Sequence, residues 1–169
     1  MQEDAAMSTA GVMVQPGRVK RVELRGSWLN YLVTGRDSKG CSLFEFDAAP
    51  GFDTGVHYHT RIEEFLYVLE GEVDLRSGDQ VTHAAPGAFV FVPRGTKHSI
   101  ANFGKKRSRL LLGCLPPGHE NYFEELSALL AKPGPPSSEA IAALRKKYDT
   151  IQVSGLRSNS HQEAQIFRG

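Results

Sequence analysis

The sequence predicts a mainly β protein, an antiparallel barrel or sandwich that ends in one or two α-helices. From residue 21 to residue 116, short β-rich runs alternate with turns that contain Gly, Pro and Asp, which is typical of an all-β domain. After Gly118 the apolar residues recur at helical spacing instead. The 169 residues suit one domain with an appendage, since single domains most often contain roughly 100–150 residues.

Residues 1–20 are expected to be flexible or to add an edge strand, and residues 21–116 are expected to form the barrel. The candidate strands with their turns read LRGSWLNYLVTG, CSLFEFDAAPG, EFLYVLEGEVDLRSGD, QVTHAAPG, AFVFVPRG and RLLLGCLPPG. Their spacing favours a barrel. Bulky aromatic residues in these runs are expected to fill its core, with some lining a pocket: Tyr31, Phe44, Phe46, Tyr67, Phe89 and Phe91.

Residues 117–150 are predicted to form two amphipathic helices that pack against the barrel. The first has one apolar stripe over about three turns, formed by Tyr122, Phe123, Leu126, Leu129 and Leu130. The segment KPGPP ends it, because proline cannot continue a helix. The second begins at Ser138, with Glu139 in its first turn and lysines near its end. Residues 151–169 are expected to form a polar, disordered or loosely docked tail, in which His161 has no assigned role.

Charge and hydropathy argue against two classes of partner. Lys and Arg total 20 against 19 for Asp and Glu, so neither nucleic acid nor an anionic membrane is expected. No run approaches the roughly 20 apolar residues of a spanning helix, and the segment MQEDAAMSTAGVMVQPG lacks the basic start and apolar centre of a signal peptide. The expectation is a cytoplasmic protein in which Cys41 and Cys114 are reduced, packed thiols.

The stretch GFDTGVHYHTRIEEFLYVLEG suggests a metal site. Alternate side chains of a strand project from one face, so His57 and His59 would point together. A carboxylate at the start of the next strand could reach the same ion. Both Glu63 and Glu64 lie there, on opposite faces of the pleat, and strand geometry alone leaves the choice between them open.

A second stretch, GAFVFVPRGTKHSIAN, supplies one more histidine. Its β-rich run ends in a turn at residues 93–96, where proline fixes φ and glycine allows a positive value. The chain then re-enters a strand at His98. We therefore expect the turn to fix the orientation of the His98 side chain.

Together the two stretches resemble the cupin family. Its first motif, G-x5-HxH-x3,4-E-x6-G, is matched by Gly51, His57, His59, Glu64 and Gly71. Its second, G-x5-PxG-x2-H-x3-N, is matched by Gly87, Pro93, Gly95, His98 and Asn102. The resemblance implies a jelly-roll β-barrel that holds a metal ion by three histidines and one glutamate. It also selects Glu64 over Glu63, so the implied ligands are His57, His59, Glu64 and His98.

Nitrogen and oxygen donors of this kind suit one divalent transition metal ion, Fe, Mn, Ni, Cu, Co or Zn, and do not choose among them. The chain resembles small single-domain cupins similar to quercetin dioxygenase. This resemblance implies a metal-dependent dioxygenase for an enolisable or aromatic small molecule, with Glu64 as the catalytic base if it leaves or loosens from the metal. Two alternatives stay open: an isomerase, cyclase or lyase that consumes no oxygen, and a non-catalytic cupin that binds a small ligand.

Other polar residues receive smaller roles. Glu63 is interpreted as a surface residue or a partner of Arg61, and His83 as an exposed histidine. His119 could cap a helix or contact the barrel mouth, and Asn102 is interpreted as structural. Exposed sheet edges invite pairing between subunits, so a homodimer is expected.

Overall fold

A computed structural model describes residues 11–153 of the protein. This part contains eleven strands and two helices. Numbered in chain order, the strands are β1 (Arg21–Leu24), β2 (Ser27–Val33), β3 (Ser42–Ala48), β4 (His57–Tyr58), β5 (Glu63–Glu70), β6 (Val73–Ser77), β7 (Gln80–Ala84), β8 (Phe89–Val92), β9 (His98–Ala101), β10 (Ser108–Leu115) and β11 (Ile151–Gln152). The helices are α1 (His119–Leu130) and α2 (Ser138–Lys147).

The strands form two antiparallel sheets. One has the order β1-β2-β3-β10-β5-β8 and the other β11-β4-β9-β6-β7. Buried and half-buried residues alternate along β2 and β3, as they do in strands with one face on a core. The buried residues of both sheets form one cluster that includes Phe44, Leu66, Val73 and Leu110. The predicted mainly β, jelly-roll fold with C-terminal helices is confirmed.

The aromatic residues divide into two groups. Three are buried in the core as predicted: Tyr31, Phe44 and Phe46. The prediction is wrong for Tyr67, Phe89 and Phe91, whose exposed fractions are 39%, 61% and 46%. Tyr67 is paired with Phe89 across β5 and β8, and the pleat turns their side chains outward while Leu66 and Val92 point to the core.

Both predicted helices are present. Phe123, Leu126 and Leu130 of α1 pack against the barrel core. The Ser137 hydroxyl caps α2 by accepting a hydrogen bond from the Ala140 amide at 3.1 Å. Within residues 11–153, neither helix is long and apolar enough to cross a membrane.

The predicted polar tail begins instead with a strand. β11 pairs antiparallel with β4, with Ile151 opposite Tyr58 and Gln152 opposite His57. The chain after α2 therefore returns to the sheet that carries the HxH pair. The rest of the predicted tail, including His161, and the first half of the predicted N-terminal segment lie outside the described residues. The homodimer stays a prediction.

Candidate metal centre

The four side chains named by the two motifs meet between the two sheets. His57 on β4 lies directly opposite His98 on β9, and His59 follows β4 by one residue. Glu64 enters from β5 of the other sheet. All four residues are buried. The turn before β9 is held against the HxH segment, since the Gly95 amide donates to the His59 carbonyl at 2.7 Å.

The polar atoms of these side chains converge. One ring nitrogen from each of His57, His59 and His98 lies within 4.8 Å of the other two. The two oxygens of Glu64 reach the same place, with Oε1 at 3.2 Å from Nε2 of His59 and Oε2 at 3.2 Å from Nε2 of His98. Glu64, and not Glu63, is thus the carboxylate that faces the histidines.

Backbone carbonyls fix the orientation of all three imidazoles. Each Nδ1 lies at hydrogen-bond distance from one carbonyl oxygen: His57 from Gly55 at 2.8 Å, His59 from Asp149 at 2.8 Å and His98 from Thr96 at 2.9 Å. A carbonyl only accepts, so Nδ1 carries the proton in each ring. In the neutral form every Nε2 then presents a lone pair to the centre, which is the usual arrangement of histidines that bind metals.

This centre requires positive charge. Burial raises the pKa of Glu64, but His59 and His98 lower it well below its ordinary value, so the carboxylate is ionised. Burial, with a further contribution from His98, lowers the pKa of His57 to about 3 and keeps that ring neutral. The Nε2 atoms of His59 and His98 are buried without a hydrogen-bond partner among the described residues. Burial lowers the pKa of His59, but the contact with Glu64 raises it overall, so the carboxylate favours positive charge here. A divalent cation would supply that charge in place of a ring proton.

Cys114 lies behind the carboxylate. Its Sγ is 3.8 Å from Oε1 of Glu64, and burial, followed by the charge of Glu64, raises the pKa of the thiol well above its ordinary value. The protonated thiol therefore donates a weak hydrogen bond to the carboxylate. Cys41 and Cys114 are both free; Cys114 is buried as predicted, whereas Cys41 is only half-buried.

A fourth histidine adjoins the centre. His119, the first residue of α1, is only 4% exposed, and its ring centroid lies 5.2 Å from that of His59. Burial lowers its pKa to about 4, so the ring is neutral. The sequence predicted no more than a contact at the barrel mouth, because His119 lies outside both motifs and belongs to a helix whose docking only the tertiary structure defines.

The segment after α2 supports the HxH strand from outside. The Asp149 carboxylate accepts hydrogen bonds from the Thr60 amide at 2.9 Å, the Thr60 hydroxyl at 2.6 Å and the Arg61 amide at 2.7 Å. Its backbone carbonyl accepts from His59. One residue thus fixes both the ring and the backbone on either side of a candidate ligand.

Asp149→Gly is expected to lower metal affinity about 10–100-fold, the usual effect of losing a partner of a metal ligand. Glycine tolerates the positive φ of 55° at this position, but it lacks the carboxylate that accepts from Thr60 and Arg61. Titration against a chelating dye measures the change. Arg61→Gln is the matched control, since it removes only an exposed ion pair to Asp149, and equal affinities for wild type and Asp149→Gly would contradict the positioning role.

The remaining sequence interpretations differ in outcome. Glu63 lies 3.8 Å from the Arg94 guanidinium and not beside Arg61, which pairs with Asp149; the proposed Arg61 partner was wrong. His83 is exposed as predicted, between the carboxylates of Asp74 and Glu72. Asn102 is fully buried, and its amide donates to the carbonyls of Ala48 and Lys106, both at 2.9 Å, a structural role.

An apolar cavity opens onto the centre. Of the converging side chains, His57 and Glu64 contribute to its wall, and so does His119. Most of the remaining lining is apolar or aromatic, and it joins both sheets to both helices: Leu29, Phe46, Phe52, Phe123, Leu126 and Ile141. Such a cavity suits a small organic molecule, with a few polar groups to orient it.

The profile of the Cupin domain family matches residues 44–114. This range contains both motifs and all four converging side chains. These residues form a domain of the cupin superfamily. This cupin is 30% identical over 74 residues to the tetracenomycin polyketide synthase protein TcmJ of Streptomyces glaucescens, covering 44% of this chain and 50% of TcmJ. It is 37% identical over 81 residues to Nectarin-1 of Nicotiana plumbaginifolia, covering 43% of this chain and 34% of Nectarin-1.

The cupin thus spans half or less of the length of these two curated relatives. Among solved structures, it resembles the polyketide cyclase RemF of Streptomyces resistomycificus with 27% identity and a TM-score of 0.55, over 61% of this chain and 78% of RemF. It also resembles the protein TT1209 of Thermus thermophilus with 26% identity and a TM-score of 0.53, over 62% of this chain and 96% of that protein. These similarities agree with the jelly-roll fold described above.

Proposed function

We propose that this cupin is a metal-dependent enzyme for an apolar, enolisable or aromatic small molecule, with His57, His59, Glu64 and His98 as metal ligands. One observation carries the proposal: two members of the converging group, His57 and Glu64, line an apolar cavity. A purely structural ion would be enclosed by protein, whereas this centre faces a space that a substrate can enter.

Two arginines suggest that the substrate carries an acidic oxygen. Arg25 and Arg145 line the same cavity, and no ion pair joins either of them to a carboxylate within residues 11–153. Arg145 Nη2 donates to the Thr54 carbonyl at 3.3 Å, and the guanidinium also interacts with the Tyr122 hydroxyl. Its buried Nε has no hydrogen-bond partner in that part of the chain. A carboxylate, phenolate or enolate oxygen would supply the partner that this Nε lacks.

Residues of the chain would divide the chemistry between them. A divalent ion bound by the four residues would supply Lewis acidity, which stabilises negative charge on a substrate oxygen. Glu64 lines the cavity, and it would accept the proton from the adjacent carbon on loosening from the ion, since a carboxylate that binds a cation is a weak base. The apolar walls would exclude water and strengthen these charge interactions.

Two reaction classes use such an activated substrate. The sequence predicts a dioxygenase, in which oxygen adds to the carbanion. The similarity to RemF, a polyketide cyclase by name, and to the polyketide synthase protein TcmJ favours the other class, ring closure without oxygen. We place ring closure first and retain the dioxygenase as the second candidate.

Benzoylacetone, an aromatic 1,3-diketone, tests both classes through the step they share. The protein is loaded separately with Fe²⁺, Ni²⁺ and Zn²⁺, and exchange of the probe's acidic C–H for deuterium in D2O is followed by NMR while an electrode records oxygen. We expect faster exchange than with the metal ions alone, under air and under nitrogen, and no oxygen uptake. Glu64→Gln should lose the acceleration, whereas Glu63→Gln should retain it.

The other outcomes have distinct meanings. Oxygen consumption that depends on the probe would replace ring closure with the dioxygenase. Saturable binding of the probe by the loaded protein, without exchange or oxygen uptake, would contradict catalysis and favour a ligand-binding cupin.

A further inference from the structure

His119 has the properties of an additional ligand, although it belongs to neither cupin motif. It lies on α1, outside the barrel strands that carry the other candidates, and it reaches the centre from the helical side of the cavity. Its ring is buried. A buried histidine on an apolar helix face is ordinarily a packing residue with satisfied nitrogens, so its hydrogen bonding distinguishes the two roles.

One nitrogen of this ring has no partner. Nδ1 of His119 is buried and makes no hydrogen bond to any described residue. The ring is packed against Tyr122 and Phe123, at centroid distances of 4.9 Å and 5.0 Å. Leaving a buried polar nitrogen unpaired is unfavourable. Leucine or phenylalanine would fill this position without a buried unpaired nitrogen, so packing alone does not explain why a histidine is present.

The donor atoms of His119, His59 and Glu64 lie within 4.8 Å of one another. Two atoms that bind one transition metal ion at about 2.1 Å are separated by up to about 4.2 Å, so small side-chain adjustments suffice for shared ligation. His59 and Glu64 also belong to the set formed with His57 and His98. His119 thus adjoins the same centre on the side of His59 and Glu64, and its side chain would turn toward His57 and His98 to share one ion with them.

We infer that His119 is a fifth protein ligand of the ion, an inference that rests on the proposed metal centre. Glu120 holds this ligand in place. Its carboxylate accepts hydrogen bonds from the Ser42 hydroxyl, from the Gly118 amide at 2.8 Å and from the Gly35 amide at 2.7 Å. These bonds attach the start of α1 to the loops beside β2 and β3, so the His119 backbone cannot easily withdraw from the centre.

Fivefold protein ligation restricts the chemistry. A six-coordinate ion with five protein donors keeps one open position, and a five-coordinate ion keeps none unless a ligand is displaced. A substrate oxygen and molecular oxygen then cannot both bind the ion while His119 stays in place. The inference therefore supports activation of a single substrate oxygen, which fits ring closure and equally a dioxygenase in which oxygen adds to the carbanion and not to the ion.

Cobalt binding tests the inference without a substrate. Metal-free wild type, His119→Leu and His119→Gln are titrated with Co²⁺, and affinity is measured together with the visible absorption bands, whose intensity and position report coordination number. Both variants should bind at least tenfold more weakly than wild type, and His119→Leu should show the stronger bands of lower coordination. Tyr122→Phe, which retains the ring beside His119, should match wild type in affinity and spectrum.

The possible failures are distinguishable. Unchanged affinity and spectrum in folded His119→Leu and His119→Gln would overturn the fifth ligand and leave the four-residue centre intact. The same loss in Tyr122→Phe would also overturn it, since a packing effect would then explain the result. A wild-type protein that binds no Co²⁺ would overturn the proposed function and this inference with it.

Discussion

His57→Ala and His98→Ala are each expected to lose stoichiometric metal while retaining the folded barrel. The two residues face each other across β4 and β9, and each substitution removes one nitrogen donor from the centre. Each substitution also removes a buried polar ring from the barrel, so we expect the barrel to stay folded. Elemental analysis of purified protein after reconstitution with excess metal and desalting gives the occupancy, and circular dichroism reports the fold.

A glutamate pair provides the matched control. Glu64→Gln removes the charge that lies 3.2 Å from two of the rings, whereas Glu63→Gln alters a side chain that faces Arg94. Occupancy should therefore fall in the first variant and stay near wild type in the second. Full occupancy in both histidine variants, or a greater loss in Glu63→Gln, would contradict the assigned set of ligands.

The sequence was sufficient to predict the barrel and its four converging side chains because the relevant patterns are local. Two-residue periodicity places His57 and His59 on one face of an extended segment. The turn at residues 93–96 is readable from its proline and glycine, and it leads into the strand of His98. Strand geometry alone left Glu63 and Glu64 undecided, and the spacing of the motif chose the residue that faces the histidines.

What the sequence did not predict depends on contacts between distant segments. His119 reaches the cavity only because α1 docks across the barrel, and Asp149 contacts Thr60 at a separation of 89 residues. The outward orientation of Phe89 likewise depends on which face of β8 meets the core, since an alternating run with bulky residues on both faces does not specify its register. These features depend on tertiary packing, which cannot be predicted from the spacing of residues within one segment.

Gly71→Ala is expected to destabilise the protein by about 2–4 kcal/mol. Gly71 lies in the turn between β5 and β6 with φ at 72°, a conformation that a Cβ disfavours by about 1–2 kcal/mol. A Cβ there would also lie 2.8 Å from the Arg107 carbonyl oxygen and 2.9 Å from the Ser108 Cα. Because these are backbone atoms, β10 would have to shift, weakening the hydrogen bond of 2.7 Å from the Ser108 hydroxyl to the Glu72 carbonyl.

Gly51→Ala separates the two causes. Gly51 has a similar φ of 82°, but a Cβ built there meets no atom within 4 Å. This variant should lose only the conformational part, about 1–2 kcal/mol, and urea unfolding of both variants measures the difference in the free energy of unfolding. A larger loss for Gly71→Ala would show that the first cupin motif ends in glycine because the β5–β6 turn passes directly against β10. Equal losses would mean that the positive φ alone requires glycine at this position and that β10 shifts without any loss of stability.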